Sequence, residues 1–210
     1  MYDNVTSLPV KTPKSYGYSL RTPDLLEGIA RFFPLAPSNT RSLDDMLSTV
    51  TNGLPRHLLI PVLAGIRDEV LALRVAFDQV HLRMVGGSVL IVYEADWERA
   101  EEGVTLLEAR NRESHTLEVD FKQETGEDVG GGGDDLEDDD DASDDIEDDD
   151  DDAEDDDEGK IGLPFVVRLI DFAHTRITPG QGPDQGVLLG LDTLSKLLSG
   201  RIEQVQNATI

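Results

Sequence analysis

The sequence predicts an α+β fold in which antiparallel strands pack with helices, and three observations carry that reading. After Pro55, the residues Leu59, Val62, Leu63, Ile66, Val70, Leu73, Phe77 and Val80 recur every three or four positions, the mark of a long amphipathic helix. The runs 88–93 and 165–170 are short, apolar and rich in β-branched residues, and both read as buried strands. Between them lies a stretch that cannot be part of any packed core.

Taken in order, residues 1–18 hold little apolar material and read as loop. A helix is expected to start near Thr22, which is a capping type, with Pro23 at its first position. Leu25, Leu26, Ile29, Phe32 and Phe33 mark its inner face, and Pro34 and Pro37 end it. Residues 38–53 are polar, with a short helix expected over 43–50. The long helix after Pro55 serves as the spine of the fold. Gly86 and Gly87 then introduce the first strand. Residues 97–120 are charged and carry no clear period. The second strand ends at Asp171. The last helix is expected to begin at Asp184, to bury Val187, Leu191, Leu194 and Leu198, and to stop at Gly200.

The net charge of the 210 residues is -26, but it is not spread over the fold. Residues 134–158 carry 20 acidic side chains and no basic one, so the remainder has a charge of -6. Four glycines lead into this run. Such a segment cannot bury enough apolar surface to offset the entropy of ordering it. Residues 130–158 are therefore expected to be a disordered insertion between two strands of one domain, made of 1–129 and 159–210. The segment 159–210 is too small to fold alone.

Other classes are excluded or disfavoured. The chain has no cysteine, which removes disulfides and thiolate chemistry. No apolar run approaches the ~20 residues of a membrane span. The first residues lack the basic start and apolar stretch of a signal peptide, so a nuclear or cytoplasmic location is expected. Basic residues are few and scattered, which gives no footprint for nucleic acid. There is no P-loop, no dinucleotide-binding glycine pattern and no metal-type histidine cluster.

The strongest chemical signal is Arg168-Leu-Ile-Asp171-Phe-Ala-His174-Thr175. A carboxylate leaving the end of an apolar strand is one way to hold Mg²⁺ beside nucleotide phosphates, because the strand fixes the carboxylate while the loop stays open. The competing reading is an Asp that caps the turn after it. His174 touches a phosphate or bonds to backbone. Ser88, following two glycines at a strand start, reaches a ligand or serves the turn.

Four blocks in order resemble the inositol polyphosphate kinase family of multikinases, hexakisphosphate kinases and trisphosphate 3-kinases. Tyr16-Gly17-Tyr18-Ser19-Leu20, ahead of a helix ending Phe32-Phe33, is similar to that family's Tyr-Gly-Arg-Ser-Leu block. Residues 83–90 are similar to its Arg-x-x-x-Ser-Ser-Leu-Leu block, and residues 169–175 to its Ile-Asp-Phe-Ala-His-Thr block. Gly182-Pro183-Asp184 with Gly186 and Leu189-Gly190-Leu191 is similar to its entry into the last helix. Ala173-His174 is closer to the multikinase and hexakisphosphate-kinase branches, and the acidic insertion points to a fungal-type multikinase. Position 18 is Tyr where the family has Arg, and position 87 is Gly where it has Ser. The family's inositol-binding Pro-x-x-x-Asp-x-Lys-x-Gly motif is absent, and Asp120-Phe-Lys122 does not replace it.

The resemblance implies the C-terminal lobe of such a kinase, without the N-terminal lobe that positions ATP. It implies ATP and Mg²⁺ as cofactors and an inositol polyphosphate as substrate. Asp171 becomes the catalytic metal ligand, with Ser88 and His174 as cofactor-binding residues. Phosphoryl transfer depends on positioning and charge neutralisation, so the 210-residue chain alone is not expected to turn over at a useful rate. The alternative is a non-catalytic interaction protein whose acidic run binds basic partners such as histones. A pseudokinase that only binds inositol phosphates is disfavoured by the missing basic motif.

Removing residues 130–158 takes away mutually repelling charges and shortens a loop whose closure entropy grows slowly with length. The melting temperature of the deletion variant is expected to equal or slightly exceed that of the intact chain. A large drop in a calorimetric scan would show that the segment packs on the body.

Overall fold

The computed structural model describes residues 2–4, 6–37, 52–124 and 162–208, with side chains of the segment 97–124 described as far as Glu113. The short helix expected over 43–50 and the acidic insertion over 130–158 lie outside these residues. The chain divides into two compact units, Met1–Ala109 with Ile161–Ile210, and Arg110–Lys160. The core and the strand pairs belong to the first unit.

The order of elements is β1 (Tyr2–Asp3), β2 (Leu8–Pro9), α1 (Lys14–Ser19), α2 (Leu25–Phe32), α3 (Arg56–Asp78), β3 (Leu82–Met84), β4 (Ser88–Tyr93), α4 (Trp97–Glu124), β5 (Phe165–Ile170), β6 (Thr175–Ile177) and α5 (Gln185–Asn207). The strands form three antiparallel pairs: β1 with β2, β3 with β6, and β4 with β5. Mixed helices and small antiparallel sheets are what the patterning predicts.

The spine helix is α3, and its apolar period buries Leu58, Leu59, Val62, Leu63, Ile66 and Val70. Side chains of this size contribute about 1.5–3 kcal/mol each when fully buried. Facing them, α5 buries Leu188, Leu191, Leu198, Ile202 and Val205. The two helices run antiparallel. Arg74, near the end of α3, bonds to Asp192 at 3.0 Å near the start of α5. Arg56, at the start of α3, donates to the carbonyl of Ala208 just past the end of α5. Gly200 does not stop α5, contrary to expectation. Ile202 and Val205 continue the buried period for two more turns, and a glycine inside a helix costs only about 1 kcal/mol against alanine. Val80, assigned to the spine from its spacing, falls beyond α3 and is exposed.

The β4–β5 pair lies against α3 in the register Ser88 to Ile170 through Tyr93 to Phe165. Phe165 sits on Gly65, where an added Cβ would come within 2.4 Å of the ring, so only glycine allows this close approach. The expectation of two buried strands is corrected by the pairing. With two strands the sheet covers itself on one face only. Val89, Ile91, Tyr93 and Val167 pack on the core, while Leu90, Val92 and Val166 are exposed.

Residues 1–18 are not the plain loop the sequence suggests. Besides β1, β2 and α1, the side chain of Asn4 donates to the carbonyl of Ala95 and accepts from the N–H of Trp97, each at 3.0 Å. The Trp97 indole in turn donates to the carbonyl of Gly53. These bonds hold the start of α4, whose Ala100, Val104 and Leu107 are buried. At the other predicted start, Thr22 is not the cap. It opens a 3-10 turn, Thr22–Asp24, and the Asp24 carboxylate reaches back to the N–H of Arg21 at 3.1 Å.

Asp184 caps α5 as expected, accepting from the N–H groups of Gly186 at 2.9 Å and Val187 at 3.3 Å. Its second oxygen accepts from the N–H of Met84 at 3.0 Å, which ties α5 to β3. The bond from Met84 holds the carboxyl below the usual carboxylate range, helped by the Val187 and Gly186 N–H groups and the nearby Arg83 guanidinium against the opposing effect of burial. Arg83 completes the latch by donating to the carbonyls of Gly182 and Gln181.

Replacing Asp184 by Ala removes a cap and a cross-link, and it is expected to cost about 2 kcal/mol of unfolding free energy. Because the folded carboxyl titrates below its unfolded value of about 3.9, its contribution is present above that pH and is lost as pH falls through the lowered folded value. Denaturant melts of the wild type and Asp184→Asn should therefore converge at acid pH. Parallel curves down to pH 2 would contradict the latch.

Candidate active site

Two tight connections come together at the end of the β4–β5 pair. One is the turn 85–87 between β3 and β4, and the other is the 3-10 turn Phe172–His174 between β5 and β6. Strand pairing holds them side by side, because Met84 lies opposite Thr175 and Ser88 opposite Ile170. The N–H of Val85 donates to the carbonyl of His174 at 3.3 Å. Folding thus brings Ser88, Asp171 and His174, the three site residues named from sequence, to the same end of the sheet.

Asp171 occupies the N-cap position of the 3-10 turn in the left-handed region, with φ 68° and ψ 53°. For a residue with a Cβ this conformation is uncommon, and Asp and Asn are among the few types enriched in it. The side chain makes no capping bond, and it has no hydrogen-bond partner among the described residues. The reading of Asp171 as a simple cap of its own turn is therefore not what the structure contains. The carboxylate is exposed, and its oxygens are open to an external ligand.

Ser88 is exposed on the outer face of the sheet. His174 is exposed as well, and its backbone rather than its ring serves the turn contact. Among the described residues no group of three His, Asp or Glu side chains is placed to hold a metal ion. Asp171 would be the protein's own contribution to a metal shared with a phosphate. Its hard, anionic oxygens suit Mg²⁺, which favours one or two carboxylates plus substrate phosphates.

Arg168 is a residue whose place sequence reasoning missed. It stands opposite Leu90 and two positions before Ile170, so strand alternation puts it on the outer face with Ser88. The signal was there: a lone cation inside an otherwise apolar strand. Arg83, by contrast, is engaged with the Gln181 and Gly182 carbonyls and is not open to a ligand.

A pocket of about 360 Å³ lies beside these turns, lined by Met84, Gly86, Gly87, Asp184, Gly186 and Val187 among others. Ser88, Asp171 and His174 are not in its lining. They face solvent at the end of the sheet instead.

Comparison with known proteins adds the family. No curated protein sequence matches the chain. Among solved structures it is similar to the inositol phosphate multikinase Ipk2 from S. cerevisiae, determined in complex with ADP and Mn²⁺. That likeness has 22% identity and a TM-score of 0.47, and it covers 89% of this chain and 49% of the other, so the chain spans about half the length of that structure. The model of the family described as inositol polyphosphate kinase matches residues 1–199. Matched over nearly its whole length, the chain belongs to the inositol polyphosphate kinase family.

Proposed function

We propose that this chain carries the metal-binding part of an ATP-dependent inositol polyphosphate kinase, with Asp171 as its metal ligand and a multikinase-type substrate range. The observation that carries the reading is Asp171 itself: a strand-end carboxylate in the left-handed region, exposed and without a hydrogen bond among the described residues. Such a conformation costs on the order of 1 kcal/mol and persists where surrounding structure holds it in place. A group kept in that state with nothing to bond is poised for something outside the chain. Family membership supplies the chemistry, which is in-line transfer of the γ-phosphoryl group from ATP to an inositol hydroxyl.

In this reading Asp171 would hold Mg²⁺, which would supply neutralising charge beside the nucleotide phosphates. Ser88 offers a hydroxyl at the start of the paired strand. His174 presents its ring beside the turn, and Arg168 adds positive charge on the outer face. The new bond joins the inositol oxygen to phosphorus as the bond to the ADP oxygen breaks, and the hydroxyl proton leaves to solvent. None of these residues needs to form a covalent intermediate, because the rate comes from positioning and from charge placed where charge develops. The nuclear or cytoplasmic location belongs to the same proposal, since ATP and soluble inositol phosphates are met there.

Two substitutions separate charge from backbone. Asp171→Asn keeps a side chain that tolerates the left-handed region and removes the charge. It is expected to weaken Mn²⁺-dependent ATP binding at least tenfold, and to lower turnover by orders of magnitude wherever turnover is measurable, with an unchanged melting temperature. Asp171→Gly relaxes the backbone and is expected to melt at or above the wild-type temperature while losing the same binding. Normal metal-dependent nucleotide binding in Asp171→Asn would remove Asp171 from the site.

A further inference from the structure

Away from the sheet end, the segment 9–17, helix α2 and the middle of α5 enclose a groove of about 960 Å³. Its walls are apolar, with Leu20, Ile29, Leu194 and Leu197 among them. Its remaining character is cationic. Lys11, Lys14 and Arg31 all line it, and none has an ion-pair partner among the described residues. Three cations without ion-pair partners among the described residues stand out at one groove of a body whose charge without the acidic run is -6.

A second observation concerns Tyr16, which lines the groove. The Tyr16 hydroxyl is buried and has no hydrogen-bond partner among the described residues. The Arg31 guanidinium stacks 4.3 Å from the centroid of its ring. A buried donor left without an acceptor is uncommon in folded proteins and calls for one. An apolar wall, a phenol lacking an acceptor and cations lacking anions describe one kind of occupant: an apolar body ending in an anionic acceptor.

We propose that this groove binds a single-chain alkyl carboxylate, a long-chain fatty-acid anion. The volume falls within the roughly 300–1,000 Å³ typical of small-ligand pockets. The alkyl chain covers Leu20, Ile29 and Leu194. The carboxylate lies among Lys11, Lys14 and Arg31, where a shift of the buried Tyr16 side chain lets its hydroxyl donate to it. An inositol polyphosphate has the charge but no apolar body, and it would leave those walls in water. The site is separate from the Asp171 end of the sheet and does not rest on the kinase reading.

The test is calorimetric titration of the full chain with dodecanoate below its micellar concentration. Saturable one-to-one binding is expected. Decanoate, shorter by two methylenes, should bind about tenfold more weakly. The double variant Lys11→Glu/Lys14→Glu changes only exposed side chains, so it should keep the wild-type melting temperature and lose affinity on the order of tenfold. Tyr16→Phe should weaken binding several-fold, and inositol hexakisphosphate should not displace dodecanoate. The proposal is overturned if dodecanoate fails to bind at millimolar concentration, or if the charge-reversed variant binds it equally well. Displacement by inositol hexakisphosphate, or association with anionic vesicles and not with free dodecanoate, would overturn it too.

Discussion

The packing of α3 against α5 is the constraint on which the other elements depend. Each helix presents one apolar stripe, and each stripe is covered chiefly by the other. The β4–β5 pair cannot stand alone, since an isolated two-stranded hairpin is at best marginally stable in water. It gains stability by laying Val89, Ile91, Tyr93 and Val167 on the same core and by seating Phe165 on Gly65. The aromatic group of Phe32, Phe33 and Tyr93 then joins α2 to the sheet, with ring centroids 4.7 to 5.7 Å apart. The Tyr93 hydroxyl donates to the carbonyl of Phe32, and burial pushes its pKa up to about 12, so it stays a donor throughout the physiological range.

Whatever depends on local periodicity is legible in the sequence. The strand bounds of β4 and β5 and the start of α5 at Asp184 follow from β-branched runs and from one good capping residue. Burial of those strands is not legible, because an apolar run does not say how many layers cover it. Leu90, Val92 and Val166 look like core residues in sequence, and they are exposed because the sheet has a single helical layer behind it. The helix α4 is hidden for the opposite reason. Among its described side chains the apolar buried stripe is Ala100, Val104 and Leu107, diluted among charged residues, although the spacing of four and three is helical. The order near Asn4 is invisible because it rests on bonds to residues more than forty positions away.

The candidate site shows the same division. Asp171, Ser88 and His174 can be named from residue types and from the family resemblance. Their meeting at one end depends on two antiparallel registers that no single segment encodes. Register matters strongly here, because a slip of one residue in β4–β5 would turn Ser88 inward and carry Ile170 away from it. Local periodicity also does not reveal that Asp184 serves two elements at once. A capping residue needs one oxygen for its helix, and the second oxygen is free to fix a neighbour. Here the neighbour is the N–H of Met84, one residue before the turn that touches His174.

That connection joins in space three of the blocks that resemble the family's. Arg83 and Met84 hold the loop and cap that start α5, and α5 packs on α3, which carries the sheet. The β3–β6 pairing passes this rigidity to the turn that begins at Asp171. Residues 83–90, 169–175 and 182–191 are therefore parts of one mechanical unit. A carboxylate held in the left-handed region is costly to a loose loop, which would relax to a commoner conformation. It is tolerable at the junction of two strand pairs, one of which is latched to a helix N-terminus. The same framework that sustains the conformation keeps the carboxylate aimed outward, away from the turn it would otherwise cap.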